Sequence, residues 1–272
     1  MEPSILTIAI EDAIREGTEC PLCYLIEKSE NRFFETFYSG MIMDPWSRDE
    51  IISSRGFCRY HSHQILNFAE VHAEKLGLGL VLQSLVNDRL QTVENLCKNS
   101  ASLLSIMRRN DVKSILQRRL LGKNPEWLRR FAREVTSRLR YVETRCPACL
   151  QLSESNASHV RTLIGMMAKN EDFRNIVEES RGLCLPHFIE VTQAASSRLD
   201  SRGFSLLVDT LLPVQVSCLT RIHFELSEFI RKHDYRFAKE RFGSEVDVVE
   251  RGILKLIGTS HLGPIAVKSE SS

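Results

Sequence analysis

Net charge is almost absent from this 272-residue chain: 36 Lys and Arg stand against 35 Asp and Glu, a formal +1. A balance this even predicts no anionic partner by itself. Long apolar runs are missing too. No stretch reaches the ~18 residues a bilayer crossing needs. The apolar Ile5 to Ile10 follows Glu2 and precedes Glu11 and Asp12, unlike the basic start of a signal peptide. We therefore expect a cytoplasmic protein with no membrane partner. The chain has no GxxxxGK[ST], HExxH or GxSxG, and Gly77 and Gly79 make only GxG, without the third glycine of a dinucleotide loop. An enzyme is unsupported on these grounds. Alternating strand patterns are also lacking, and the dominant period is helical, as in Ile5, Ile8, Ala9 and Ala13.

What is present is a duplicated set of metal ligands. Cys20-Pro21-Leu22-Cys23 is followed, 34 residues on, by Cys58-Arg59-Tyr60-His61. Cys146-Pro147-Ala148-Cys149 is followed at the same interval by Cys184-Leu185-Pro186-His187, so all four positions shift by 126. The copy extends to Ser54-Arg55-Gly56 and Ser180-Arg181-Gly182, and Gly77 lands on Gly203. Thiols stay reduced in the cytosol, so paired CxxC motifs there point to metal before disulfide. Three sulfurs and one imidazole match a closed structural zinc site. A CxxH at a helix start places both ligands on one face, and the positive helix end favours thiolate. The spacing groups the ligands within each repeat: Cys20, Cys23, Cys58 and His61 for one Zn²⁺, and Cys146, Cys149, Cys184 and His187 for a second. An iron–sulfur cluster on the same ligands is the alternative. A redox CPxC is the rival reading, but it needs a preceding strand, and the flanks here look helical.

The expected architecture is all-α, two pseudo-symmetric helical repeats each tied by a Cys3His site. The first spans 1–98, a basic helical connector 99–145, the second repeat 146–258 and a flexible tail 259–272. Helices are expected from Ile5 to Gly17, from Pro21 to about Tyr38, and from Pro45 to near Gly56. Another follows Cys58 as far as a left-handed cap at Gly77, and a long one runs from Leu78 to about Met107. Gly40 to Asp44 reads as a loop, Asn110 and Asn124 as caps, with Pro125 opening the helix after Asn124. Pro213 should kink the second long helix. Ser244 should cap a last helix, Glu245 to Ile257.

Other residues carry less. Cys97 and Cys218 lack a cysteine counterpart in the other repeat and read as buried, inert thiols. His63 reads as a surface or ligand-supporting residue. His72, His159 and His261 receive no role. His233 and Asp234 form an acid–base pair only with a third group. Met107 to Arg145 holds twelve Lys/Arg against four Asp/Glu. Arginine forks suit phosphate and carboxylate. Arg118, Arg129, Arg130 and Arg133 are thus the candidates for contact with nucleic acid, while a protein partner or self-association is the competing expectation.

The duplicated CPxC…GxCxxH, the stretch Phe229-Ile230-Arg231-Lys232-His233-Asp234-Tyr235-Arg236-Phe237 and the short helix after it resemble an uncharacterised prokaryotic family known only as a domain of unknown function. The resemblance covers Cys20 to about Gly258. It implies a fold and two sites but no chemistry.

Overall fold

Helix starts in this protein are set by side chains that accept the first free backbone N–H groups. In the computed structural model, residues 4–108, 126–139, 145–237 and 239–259 are described, with no strand among them. Asn110, Arg118, Asn124, Pro125, His261 and nearly all of the 259–272 tail lie outside the described residues, as does most of the basic 107–145 segment. Ser4 caps α1 (Ile5–Arg15) in a capping box with Thr7. Asp44 caps α3 (Pro45–Ser53), where Pro45 takes the first helical position. Asn170 caps α8 (Glu171–Glu178) and Asp200 caps α10 (Ser201–Lys232) in the same way. The remaining helices are α2 (Pro21–Thr36), α4 (Arg59–Val71), α5 (Lys75–Arg108), α6 (Glu126–Leu139), α7 (Pro147–Lys169), α9 (Leu185–Arg198) and α11 (Val248–Ile257).

Several boundaries differ from the sequence expectation. α2 continues through a π-helical turn, Phe37–Met41, so the first two residues of the expected loop, Gly40 and Met41, are helical and the loop is Ile42 to Asp44. α4 stops at Val71, and the left-handed residue after it is Ala73 (φ 59°), not Gly77. Gly77 lies inside α5, close against Ile42, whose Cδ1 would be 2.7 Å from a Cβ at this position. α10 runs on through Pro213. α11 begins at Val248, three residues after the expected start, and Ser244 does not cap it. Gly17 does end the first helix region in a left-handed conformation, φ 68°. Cys97 is exposed, a correction, since its neighbour Leu96 takes the buried face of α5, whereas Cys218 is buried as expected.

The chain divides into two compact units. One comprises Met1–Arg32 with Gln151–Ser272, the other Phe33–Leu150. The first has a core of α1, the start of α2, and α7 to α10, built on Ile10, Ala13, Leu22, Met167, Phe173, Val191 and Leu207. The second packs Phe33, Phe34, Phe37, Ile51, Ile65 and Val81 together with Cys146 and Ala148. Its aromatic centre is dense: Phe57 meets Phe37 at 5.5 Å and Phe33 at 6.2 Å, edge to face. By length and composition α10 is apolar enough to cross a membrane. Its Leu207, Leu211, Val214, Gln215, Cys218 and Ile222 are buried within the first unit.

Candidate metal centre

Each CPxC opens a helix. Pro21 and Pro147 are the first residues of α2 and α7, and Tyr24 and Leu150 donate their N–H groups to the carbonyls of Cys20 and Cys146. The first cysteine is therefore the N-cap, and the second sits one turn in. Cys58 and Cys184 are likewise the N-caps of α4 and α9, with His61 and His187 three residues on. Proline at the first helical position, cap geometry at the preceding cysteine and the i, i+3 spacing together aim every ligand pair past a helix N-terminus.

These pairs meet in a combination the sequence spacing does not suggest. Cys20 and Cys23 join Cys184 and His187, and Cys58 and His61 join Cys146 and Cys149. The expected grouping is thus corrected: each group takes its CPxC from one copy of the motif and its CxxH from the other. The reason is the packing within each unit. Phe57, adjacent to Cys58, packs against the cluster that holds Cys146 and Ala148. Leu183, adjacent to Cys184, lies in one cluster with Leu22 and Cys23.

Both tetrads have the dimensions of a single-ion tetrahedron. Zn–S near 2.3 Å and Zn–N near 2.05 Å imply edges of about 3.8 Å for S···S and about 3.6 Å for S···N. In the first unit Cys23 Sγ is 3.6 Å from Cys184 Sγ, and His187 Nδ1 is 3.4, 3.4 and 3.1 Å from the sulfurs of Cys20, Cys23 and Cys184. In the second, Cys149 Sγ is 3.7 Å from Cys58 Sγ, and His61 Nδ1 is 3.1, 3.5 and 3.2 Å from Cys58, Cys146 and Cys149. All four ligand atoms in each group lie within 4.8 Å of one another. Nδ1 is the nitrogen that faces the sulfurs and would ligate an ion, and the Nε2 of His187 is buried without a hydrogen-bond partner. The first tetrad is fully buried. In the second, Cys58 and Cys149 are half-buried.

The groups also polarise one another. Burial opposes ionisation of Cys20, yet hydrogen bonds with Cys184, Cys23 and His187 hold its thiol well below the ordinary cysteine range. His187 is pushed up to about 10: burial works against this, but hydrogen bonds with Cys20 and Cys23 and their charge outweigh it. Hydrogen bonds with Cys146 and Cys149 likewise lower Cys58. Cys184 and Cys149 are raised, chiefly by sharing hydrogen bonds with the ionised sulfurs beside them. A cation held here would displace these protons and be bound by three thiolates and one imidazole.

Sequence reasoning missed the groups around the buried tetrad. Glu19, one residue before Cys20, is 4% exposed. Arg221 binds both of its carboxylate oxygens, at 2.6 and 2.8 Å, and Arg181, Arg251 and Lys255 lie within 3.3–3.4 Å. Burial raises the Glu19 carboxyl, but the Arg221 hydrogen bond and the surrounding cations bring it below its usual value. Glu225 and Asp247 complete the network through Arg251. Four cations against three carboxylates leave one positive charge, which would offset the single negative charge of any divalent ion held by three thiolates. Gln215 holds the turn before Cys184, donating to the Leu183 carbonyl (2.9 Å) and accepting from its N–H (3.3 Å). One signal was legible: in α11 the buried positions are Val248, Gly252 and Lys255, so a lysine sits on the apolar face at i, i+4, i+7.

The other candidates fall outside these sites. His63 is exposed. His233 Nδ1 donates to the Phe229 carbonyl, 2.8 Å away, while Asp234 is engaged by Arg236 at 2.7 and 3.0 Å. Arg129, Arg130 and Arg133 are exposed on α6.

A family model described as a family of unknown function, DUF6062, matches residues 1–262, and the chain belongs to that family. Searches of curated proteins and of solved structures return no match.

Proposed function

We propose that this member of a family of unknown function is a zinc protein of structural or interaction type, in which two Zn²⁺ ions each fold one unit. The observation that carries the reading is the pair of tetrads with edges of 3.1–3.7 Å. Those dimensions fit one small ion. An iron–sulfur cluster binds its ligands through several irons and spreads them further apart, so zinc is favoured over that alternative. Four protein ligands leave no open position for water or substrate, which favours a non-enzymatic role. The helix starts at Pro21, Pro45, Arg59 and Lys75 recur 126 residues on, at Pro147, Glu171, Leu185 and Ser201, which supports two pseudo-symmetric repeats. Reduced thiols as ligands fit a cytoplasmic setting.

Elemental analysis and a visible spectrum of the chain purified without added metal test this. Two zinc per chain and no colour are expected. Zero or one ion overturns the two-site reading, and a brown protein transfers the ligands to iron–sulfur chemistry.

For a partner, we propose a protein surface, this chain's own second copy included. Leu82, Val86, Leu90 and Val93 recur at helical spacing along α5 and are all exposed. Such a stripe suits a protein better than a phosphate backbone. Arg129 and Arg133, one turn apart on α6, are the contacts a nucleic acid would use. Binding to random DNA and RNA at two salt concentrations, run beside a measurement of oligomeric state, separates the two readings, since phosphate contact weakens steeply with salt.

A further inference from the structure

Lys255 is 0% exposed, and its ammonium is placed where the two ligand-bearing turns of the first unit converge. Nζ donates to the Glu19 carbonyl at 2.6 Å, to the Arg181 carbonyl at 2.5 Å and to the Leu183 carbonyl at 3.4 Å. Glu19 immediately precedes Cys20, and Leu183 immediately precedes Cys184. One side chain thus holds the backbone from which both ligand pairs hang, although those turns lie more than 160 residues apart in sequence. The same helix closes over the sulfurs. Gly258, the C-cap of α11 with φ 74°, approaches so closely that a Cβ there would be 3.3 Å from Cys184 Sγ and 3.7 Å from Cys23 Sγ.

We propose that Lys255 is the positioning residue of the buried metal group, and that docking of α11 and binding of the ion at Cys20, Cys23, Cys184 and His187 are mutually dependent. The physical basis is twofold. Three carbonyl dipoles aimed at one ammonium fix the separation of the two turns, and the ammonium places positive charge beside an anionic metal–thiolate group. An ion that holds the turns together preserves the carbonyl cage, and a docked lysine preserves the ligand geometry. Linkage makes the two effects equal: the factor by which α11 tightens the ion is the factor by which the ion tightens α11. The half-buried tetrad of the other unit shares none of these contacts and serves as an internal reference.

The inference rests on the zinc reading above, and the experiment separates the two. Zinc release to a chromogenic chelator is followed in the full chain carrying Cys149→Ser, so that only the first unit's ion is read. Adding Lys255→Met, which keeps the apolar stem and removes the ammonium, is expected to speed release about 10–100-fold, the usual scale for a group that orients metal ligands. In the chain with an intact Cys149, the other ion's release rate should not move. Lys255→Arg should recover only part of the loss, because a planar fork does not fit the cage of an ammonium. Amide hydrogen exchange of Val248–Ile257 in the unsubstituted chain covers the case of a variant that does not fold. Protection of that helix is expected to collapse when the first unit's ion is removed. An unchanged release rate, or a helix equally protected with and without the ion, overturns the lysine's role while leaving the zinc sites standing. A chain that binds no ion overturns both.

Discussion

Cys23 Sγ lies 3.6 Å from Cys184 Sγ, although they are 161 positions apart in sequence, while the CxxH nearest to it in sequence belongs to the other tetrad. The exchange of half-sites between the two motif copies ties the beginning of the chain to its last third. Loss of either half therefore acts on a unit assembled from both ends of the sequence.

This grouping predicts a crossing pattern of zinc contents. Cys23→Ser and Cys184→Ser should each lower the content from two to one, and the double variant should still hold one. Cys23→Ser combined with Cys58→Ser should hold none. Elemental analysis of the four proteins decides the matter. If the Cys23/Cys58 pair retained one ion and Cys23/Cys184 retained none, the ligands would group within repeats instead.

Chelation should strip the sites in order. Cys58 and Cys149 are half-buried, whereas all four ligands of the other tetrad are covered, so the ion in Phe33–Leu150 should leave first. Because binding energy at a structural zinc site is folding energy, each step should also lower helix content and the denaturation midpoint. Circular dichroism read alongside zinc release would show two coupled phases. Release of both ions with unchanged helicity would contradict a structural role.

Gly77→Ala should destabilise the second unit by about 1–3 kcal/mol, the usual cost of forcing a methyl into a packed contact. A Cβ there would stand 2.7 Å from Ile42 Cδ1, a distance real Cβ atoms do not tolerate. Ile42→Val removes the offending methyl and should recover part of the loss. Equal instability of the single and double variants in urea would mean that the contact is not the cause.

Tyr38 offers a pH test away from the metal ligands. Its hydroxyl donates to the Ile65 carbonyl at 2.8 Å, and burial, aided by Glu74, pushes its pKa up to about 12. A phenol that must stay neutral when folded stabilises fully below its unfolded value near 10 and loses that contribution as pH rises toward 12. Tyr38→Phe should cost about 1 kcal/mol at pH 7 for the missing hydrogen bond. The difference between the two proteins should shrink from pH 10 upward. A gap that is constant or widens in alkaline denaturation curves would refute the assignment.

By itself the sequence determined what is local. Asp44-Pro45 and the left-handed Gly17 mark helix ends through cap chemistry within a turn. The CPxC and CxxH spacings placed all eight ligands at helix N-termini, because i and i+3 share a face wherever the helix begins. The identity of the donors, three thiolates and an imidazole per site, was equally plain, and so was the all-helical class. Sequence could not choose which halves meet. A duplicated motif offers two CPxC pairs and two CxxH pairs of the same chemistry, and both groupings satisfy the local rules. Tertiary packing made the choice: Phe57, and hence Cys58, joins the core cluster of Cys146 and Ala148, and Leu183, and hence Cys184, joins that of Leu22 and Cys23. Lys255 and Glu19 escaped for the same reason. A buried charge is stable only beside its partners, and theirs come from residues 19, 181, 183, 221, 251 and 255, which the folded chain alone brings together.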